Sequence, residues 1–131
     1  MNRTGEDAIK MQLREMDEQV TYMQQLQEDA GPIVLVNVFN VAPEDAERLL
    51  EAWADDAAFM KQQPGFVSTQ LHRGTAGSST FVNVAEWESA RALGDAFRSP
   101  DFQRRASRYP EGVVASPHVF KKVAVPGICG A

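Results

Sequence analysis

Two asparagines and a tryptophan stand where a sheet would ordinarily bury apolar groups. Asn37 interrupts the run Ile33-Val34-Leu35-Val36-Asn37-Val38-Phe39, and Asn83 lies four residues before Trp87 in Phe81-Val82-Asn83-Val84-Ala85-Glu86-Trp87. Side chains alternate across a strand, so Leu35, Asn37 and Phe39 share one face, as do Phe81, Asn83, Ala85 and Trp87. A buried amide without a partner costs about 1–3 kcal/mol, so a core with no use for these amides would carry Val or Leu. Each Asn could instead bond a neighbouring backbone, with Trp87 simply packing. Taken together, the three read as neutral donors in a ligand pocket, suited to negative charge developing on a substrate oxygen. His72, of a residue type that titrates near pH 6.5, could take a proton. A solvent-facing strand position is its alternative, because the face of its strand is ambiguous.

The elements that must position these groups follow from periodicity. Ile33 to Phe39 is a β-branched strand. Ala42-Pro43-Glu44-Asp45 opens a helix whose apolar face is Ala46, Leu49, Leu50, Trp53, Ala57 and Met60, and Pro64-Gly65 stops it. Phe66 to Arg73 and Thr80 to Trp87 form a hairpin across Gly74 to Ser79. Ser89 to Arg98 is a short helix, and Ser99-Pro100-Asp101 restarts a second one carrying Phe102, Ala106 and Tyr109. A last strand is expected from His118 to Val125. The order β-α-β-β-α-β is the ferredoxin-like split unit, an α+β fold with helices on one face of an antiparallel sheet. The other face carries Val34, Val36, Val38, Val82 and Val84, too apolar for water, and a homodimer is expected to cover it.

Composition bounds the rest. The 131 residues suit one domain, and 44% hydrophobic with 24% charged residues is ordinary for a globular chain. A net charge of -5 argues against nucleic acid, and no apolar run approaches the roughly eighteen residues of a membrane span. The polar N-terminus lacks a signal-peptide core and Cys129 is the sole cysteine, so a reduced, cytoplasmic setting is expected. Residues 1–30 carry seven acids and three bases, and Ile9, Leu13, Met16, Val20 and Met23 are spaced 4, 3, 4 and 3 apart. This spacing predicts an amphipathic helical extension that covers the body or a twin subunit, or docks another protein. Residues 31–126 form the main domain, and 127–131 a loose tail.

Asn37, the pattern Asn83-Val84-Ala85-Glu86-Trp87, and Phe97-Arg98-Ser99-Pro100-Asp101-Phe102 resemble the antibiotic biosynthesis monooxygenase family over about residues 32–125. The resemblance implies a dimeric α+β barrel. It is similar in particular to the branch of cofactor-free oxygenases that convert anthrones to quinones, whose functional Asn, Asn and Trp match Asn37, Asn83 and Trp87. A strand-two His found in some of them matches His72. Where some carry a Tyr on the helix after the Trp strand, this chain has Leu93. The haem-degrading branch needs a His on that helix, and no histidine lies between Trp87 and His118, which argues against haem degradation.

The expected chemistry uses oxygen as co-substrate and no cofactor or metal. An electron-rich enolate or phenolate can reduce O2 directly, so the protein need only bind a flat aromatic substrate, favour its deprotonated form and exclude water. Leu35, Phe39, Trp53, Phe81, Leu93 and Phe97 are the expected apolar shell. Arg104, Arg105 and Arg108 form a basic cluster that is either a solvated face or, through Arg108, a contact for an acidic substrate at the cleft mouth. His72 and His118 have no ligands at metal spacing, and no phosphate-binding glycine motif is present. The rival expectation is a non-oxidative protein on the same fold, one that binds an aromatic metabolite or assists an oxygenase through residues 1–30.

Overall fold

A computed structural model describes residues 11–131. Its centre is a five-stranded sheet in the order β1-β5-β2-β4-β3, built from β1 (Gln12–Leu13), β2 (Ile33–Asn40), β3 (Phe66–Arg73), β4 (Thr80–Trp87) and β5 (Val114–Phe120). Strands β2 to β5 are antiparallel and make the expected ferredoxin-like unit; only β1 is parallel to its neighbour. Helices α2 (Ala46–Met60), α3 (Ala90–Arg98) and α4 (Pro100–Ala106) cover one face, and α1 (Tyr22–Leu26) closes one end.

The helix starts are chemical. Ser89 Oγ accepts from the Ala92 N–H at the head of α3, and Ser99 Oγ accepts from the Phe102 N–H at the head of α4. Pro100 occupies the first turn of α4, where an N–H is not needed. Between β3 and β4 the chain reverses with Ala76 and Gly77 in the left-handed region, as a tight hairpin requires.

Two expectations need correction. The continuous helix expected over residues 1–30 does not form: among the described residues only Tyr22–Leu26 is helical, and Ile9 lies outside them. Leu13 is in β1, while Leu13, Met16, Val20 and Met23 are each 40–45% exposed, so the stripe buries no seam. The arm instead satisfies the edge of β5, where Gln12 N–H donates to Val113 O and Arg14 N–H to Ala115 O, both at 2.8 Å. A polar helix with five apolar residues gains less from its own turns than an edge strand's unpaired groups offer. Helix starts again only at Thr21, whose hydroxyl accepts from the Gln24 N–H while Gln24 Oε1 accepts from the Thr21 N–H. That box sets the register on Tyr22 and Leu26, and both are buried. Gln25 finishes the β5 edge, accepting from the Val119 N–H and donating to its carbonyl, each at 2.9 Å. The arm covers its own body.

The last strand begins earlier than expected, at Val114, and includes Pro117. Pro117 lies beyond the reach of β1, which pairs only with Val114 and Ala115, and an edge tolerates its missing N–H. The tail 127–131 is exposed. A turn bonds Val125 N–H to Cys129 O at 2.8 Å, and the exposed Cys129 thiol sits 3.3 Å from Val123 O.

Candidate active site

Four cross-strand rows floor the space between sheet and helices. Phe66, Trp87 and Ile33 lie in one row; Thr69, Ala85, Leu35 and Val119 in the next. Leu71, Asn83, Asn37 and Pro117 make the third, and Arg73, Phe81, Phe39 and Ala115 the fourth. Asn37 and Asn83 are therefore direct partners across β2 and β4, flanked by two side chains that can give them no hydrogen bond. The Thr69 hydroxyl donates to Asn83 Oδ1 at 2.5 Å, which leaves the Asn83 NH2 as its free end. Asn37 Oδ1 is buried with no hydrogen-bond partner. Native interiors rarely tolerate such a group without a reason.

Above this floor lies a cleft of about 690 Å³, its open mouth included. Leu35, Asn37, Phe39, Asn83 and Trp87 line it from the sheet, and Trp53, Leu93 and Phe97 line it from the helices. Trp87 is buried edge-on against Phe66, with ring centroids 5.4 Å apart, and its indole N–H has no acceptor among the described residues. Eight of the eleven expected site residues thus meet in one cavity.

The other three do not line it. A register shift between Phe66 and Ser68 brings Thr69, Leu71 and Arg73 onto the cleft face, so His72 falls opposite. His72 pairs with Val82 on the valine face, is exposed, and lies 3.3 Å from the Val82 carbonyl. Phe81 is buried beyond the cleft end, with the Arg73 guanidinium 5.0 Å from its ring centre. Arg108 is tied at 3.0 Å to Asp55, which also holds Arg105 at 2.5 Å, so these two clamp α4 and the turn after it to α2, while Arg104 pairs with Asp101 within α4.

The sequence reading missed two parts of the wall. Met11, Leu13 and Tyr22 bring the N-terminal arm to the cleft, and Tyr22 packs edge-on against Phe97 at 5.2 Å. The other part is a polar pair. Asp56, on the cleft side of α2, accepts from the Tyr109 hydroxyl at 2.7 Å. Burial pushes the Asp56 carboxyl up to about 6, while the Tyr109 hydrogen bond pulls it partly back. Burial and the Asp56 charge raise Tyr109 and Tyr22 well above the usual phenol range. A signal for Asp56 was present: it stands three residues after Trp53 and four before Met60, on the apolar helix face already recognised.

Among the described residues, no three His, Cys, Asp or Glu side chains gather closely enough to hold a metal ion, and no helix is long and apolar enough to cross a membrane. The profile of the antibiotic biosynthesis monooxygenase family matches residues 32–107, which span the sheet strands β2 to β4 and the three covering helices. The chain belongs to the antibiotic biosynthesis monooxygenase family. Among solved structures it is similar to SnoaB from Streptomyces nogalater, described as a cofactor-independent oxygenase. The two share 29% identity with a TM-score of 0.64, over 75% of this chain and 99% of SnoaB. A candidate monooxygenase from Shewanella loihica PV-4 is 31% identical with a TM-score of 0.61, over 75% and 99% of the two chains. PA3566 from Pseudomonas aeruginosa, at 23% identity, TM-score 0.63, and 72% and 97% coverage, shares the fold. No curated protein matches the chain. Family membership accounts for the ferredoxin-like frame, and the residues beyond 107 and before 32 complete the cleft that this frame supports.

Proposed function

We propose that this family member is a cofactor-independent monooxygenase that oxidises a polycyclic phenol or anthrone of the aromatic polyketide type with O2. The observation that carries the reading is the facing pair Asn37 and Asn83, one with a buried unpaired carbonyl, on the floor of a largely apolar cleft. The likeness to SnoaB supports it.

The chemistry balances without a further redox partner. Loss of a proton from the methylene carbon of an anthrone gives an enolate. The enolate passes one electron to O2, and the carbon radical and superoxide combine into a C–O bond. A proton completes the hydroperoxide. Loss of the second methylene proton sends the C–H electron pair into the new carbonyl and breaks the O–O bond. The products are a quinone and water, with one oxygen atom in each. The Asn83 NH2, the Asn37 amide and the Trp87 indole N–H are fixed donors for the enolate and peroxide oxygens. Phe39, Trp53, Phe97 and Leu93 flank a flat ring and exclude water.

The reading includes a homodimer in the cytoplasm. Its support is the half-buried row of Val34, Val36, Val38, Val82 and Val84 on the sheet face away from the helices, and a reduced compartment suits the free Cys129 thiol. Quinone formation from an anthrone by the purified protein tests the activity. Asn37→Ala and Trp87→Phe should lower turnover while the fold, read by circular dichroism, is retained. Unchanged turnover in both variants would overturn the site, and an anthrone bound but never oxidised would favour a non-oxidative binding protein.

A further inference from the structure

We propose that Asp56 is the catalytic base of this cleft, held in position by the Tyr109 hydroxyl. The inference rests on the oxygenase reading, because it supplies the step that reading leaves open: where the substrate proton goes. His72, the expected acceptor, lies on the opposite face of the sheet. Among the described residues lining the cleft, Asp56 is the only carboxylate, and no lysine, arginine, histidine or cysteine lines it.

The geometry suits a base. Asp56 Oδ2 accepts from Tyr109, and Oδ1 has no hydrogen-bond partner among the described residues, so one oxygen is anchored and the other is available to a ligand. Burial without a cationic partner is what raises the carboxyl to about 6, close to the working range of an acid–base catalyst. The charged groups around it are assigned. Asp55, its neighbour on α2, raises it and is occupied by Arg105 and Arg108, and the Arg105 charge lowers it in part. Tyr109 and Tyr22 face it from the segment after α4 and from α1, and both stay protonated. A structural role alone would be served by an asparagine, which also accepts from Tyr109 and needs no charge in an apolar wall.

In the reaction, Asp56 takes the methylene proton as the enolate forms. As the neutral acid it returns that proton to the peroxide, and the carboxylate so restored takes the second methylene proton and passes it to the departing hydroxide. No net proton is stored, and the water released carries both methylene hydrogens.

Proton abstraction can be separated from oxygen chemistry. Under anaerobic conditions in D2O, the wild-type protein should speed exchange of the anthrone methylene protons above the spontaneous rate, read by NMR. Asp56→Asn should lose that acceleration and oxidise anthrone in air roughly 10²–10⁴-fold more slowly. Tyr109→Phe keeps the carboxylate but removes the bond that lowers its pKa, so the acid limb of its pH–rate profile should move to higher pH. Exchange and oxidation undiminished in Asp56→Asn, or an acid limb unmoved in Tyr109→Phe, would overturn the role of Asp56 or of Tyr109 while leaving the oxygenase reading intact. A wild-type protein that neither exchanges nor oxidises anthrone would instead overturn the oxygenase reading, and the base with it.

Discussion

A base placed in an apolar wall should weaken the fold that carries it, and Asp56 gives that cost a sign and a size. Its carboxyl is pushed from the ordinary 3.8 to about 6. Between those two pH values the folded state holds a proton that the unfolded state has released. Unfolding free energy therefore falls as pH rises through that window and levels off above it. At 1.36 kcal/mol per pH unit, the loss is about 3 kcal/mol. Asp56→Asn keeps an acceptor for Tyr109 and removes the titration. Below pH 4 the variant and the wild type should be about equally stable. By pH 8 the variant should be the more stable by about 3 kcal/mol, even as its turnover collapses. The assay is urea unfolding at fixed protein concentration across pH 4–8, comparing the two proteins at each pH so that all other titrations cancel. A difference that stays flat across that range would refute the reasoning, because the carboxyl would then titrate alike in the folded and unfolded chains.

Other outcomes follow from the same structure. Asn37→Leu removes a buried carbonyl with no partner, so it should raise stability by about 1 kcal/mol while turnover falls, measured by urea unfolding beside quinone formation. Leu26→Ala, deep in the cluster with Ile33, Trp87 and Leu93, should cost about 2–5 kcal/mol, read as a lowered unfolding midpoint. Val36→Glu, on the valine face, should convert the proposed dimer to a monomer in analytical ultracentrifugation, with the helical signal of circular dichroism kept.

Much of the frame was legible because it rests on local chemistry. The β-branched run from Ile33, the Pro-Glu-Asp helix start, the Gly-rich hairpin and the serine caps each specify an element without reference to distant residues. Asn37, Asn83 and Trp87 were legible for a related reason: period-two alternation assigns them to one face, and polar groups on that face stand out. What depended on tertiary context was not. The shift at Phe66 and Ser68 reverses the facing of His72 and cannot be seen in a strand's composition. The arm's apolar spacing suggested a helix, but the β5 edge and the Thr21 box decided the outcome. The helix period set Asp56 on the apolar face with Trp53 and Met60, but its partner was not legible: only the fold brings Tyr109 to Asp56 and the arginines to Asp55.

The central claim, oxygenation in this cleft without a cofactor, is tested most directly by oxygen uptake. Metal-stripped protein given a simple anthrone should consume O2 above the spontaneous rate and form quinone in equal amount, with Asn37→Ala impaired under the same conditions. Uptake no faster than in buffer, or uptake restored only by adding a metal or flavin, would contradict it.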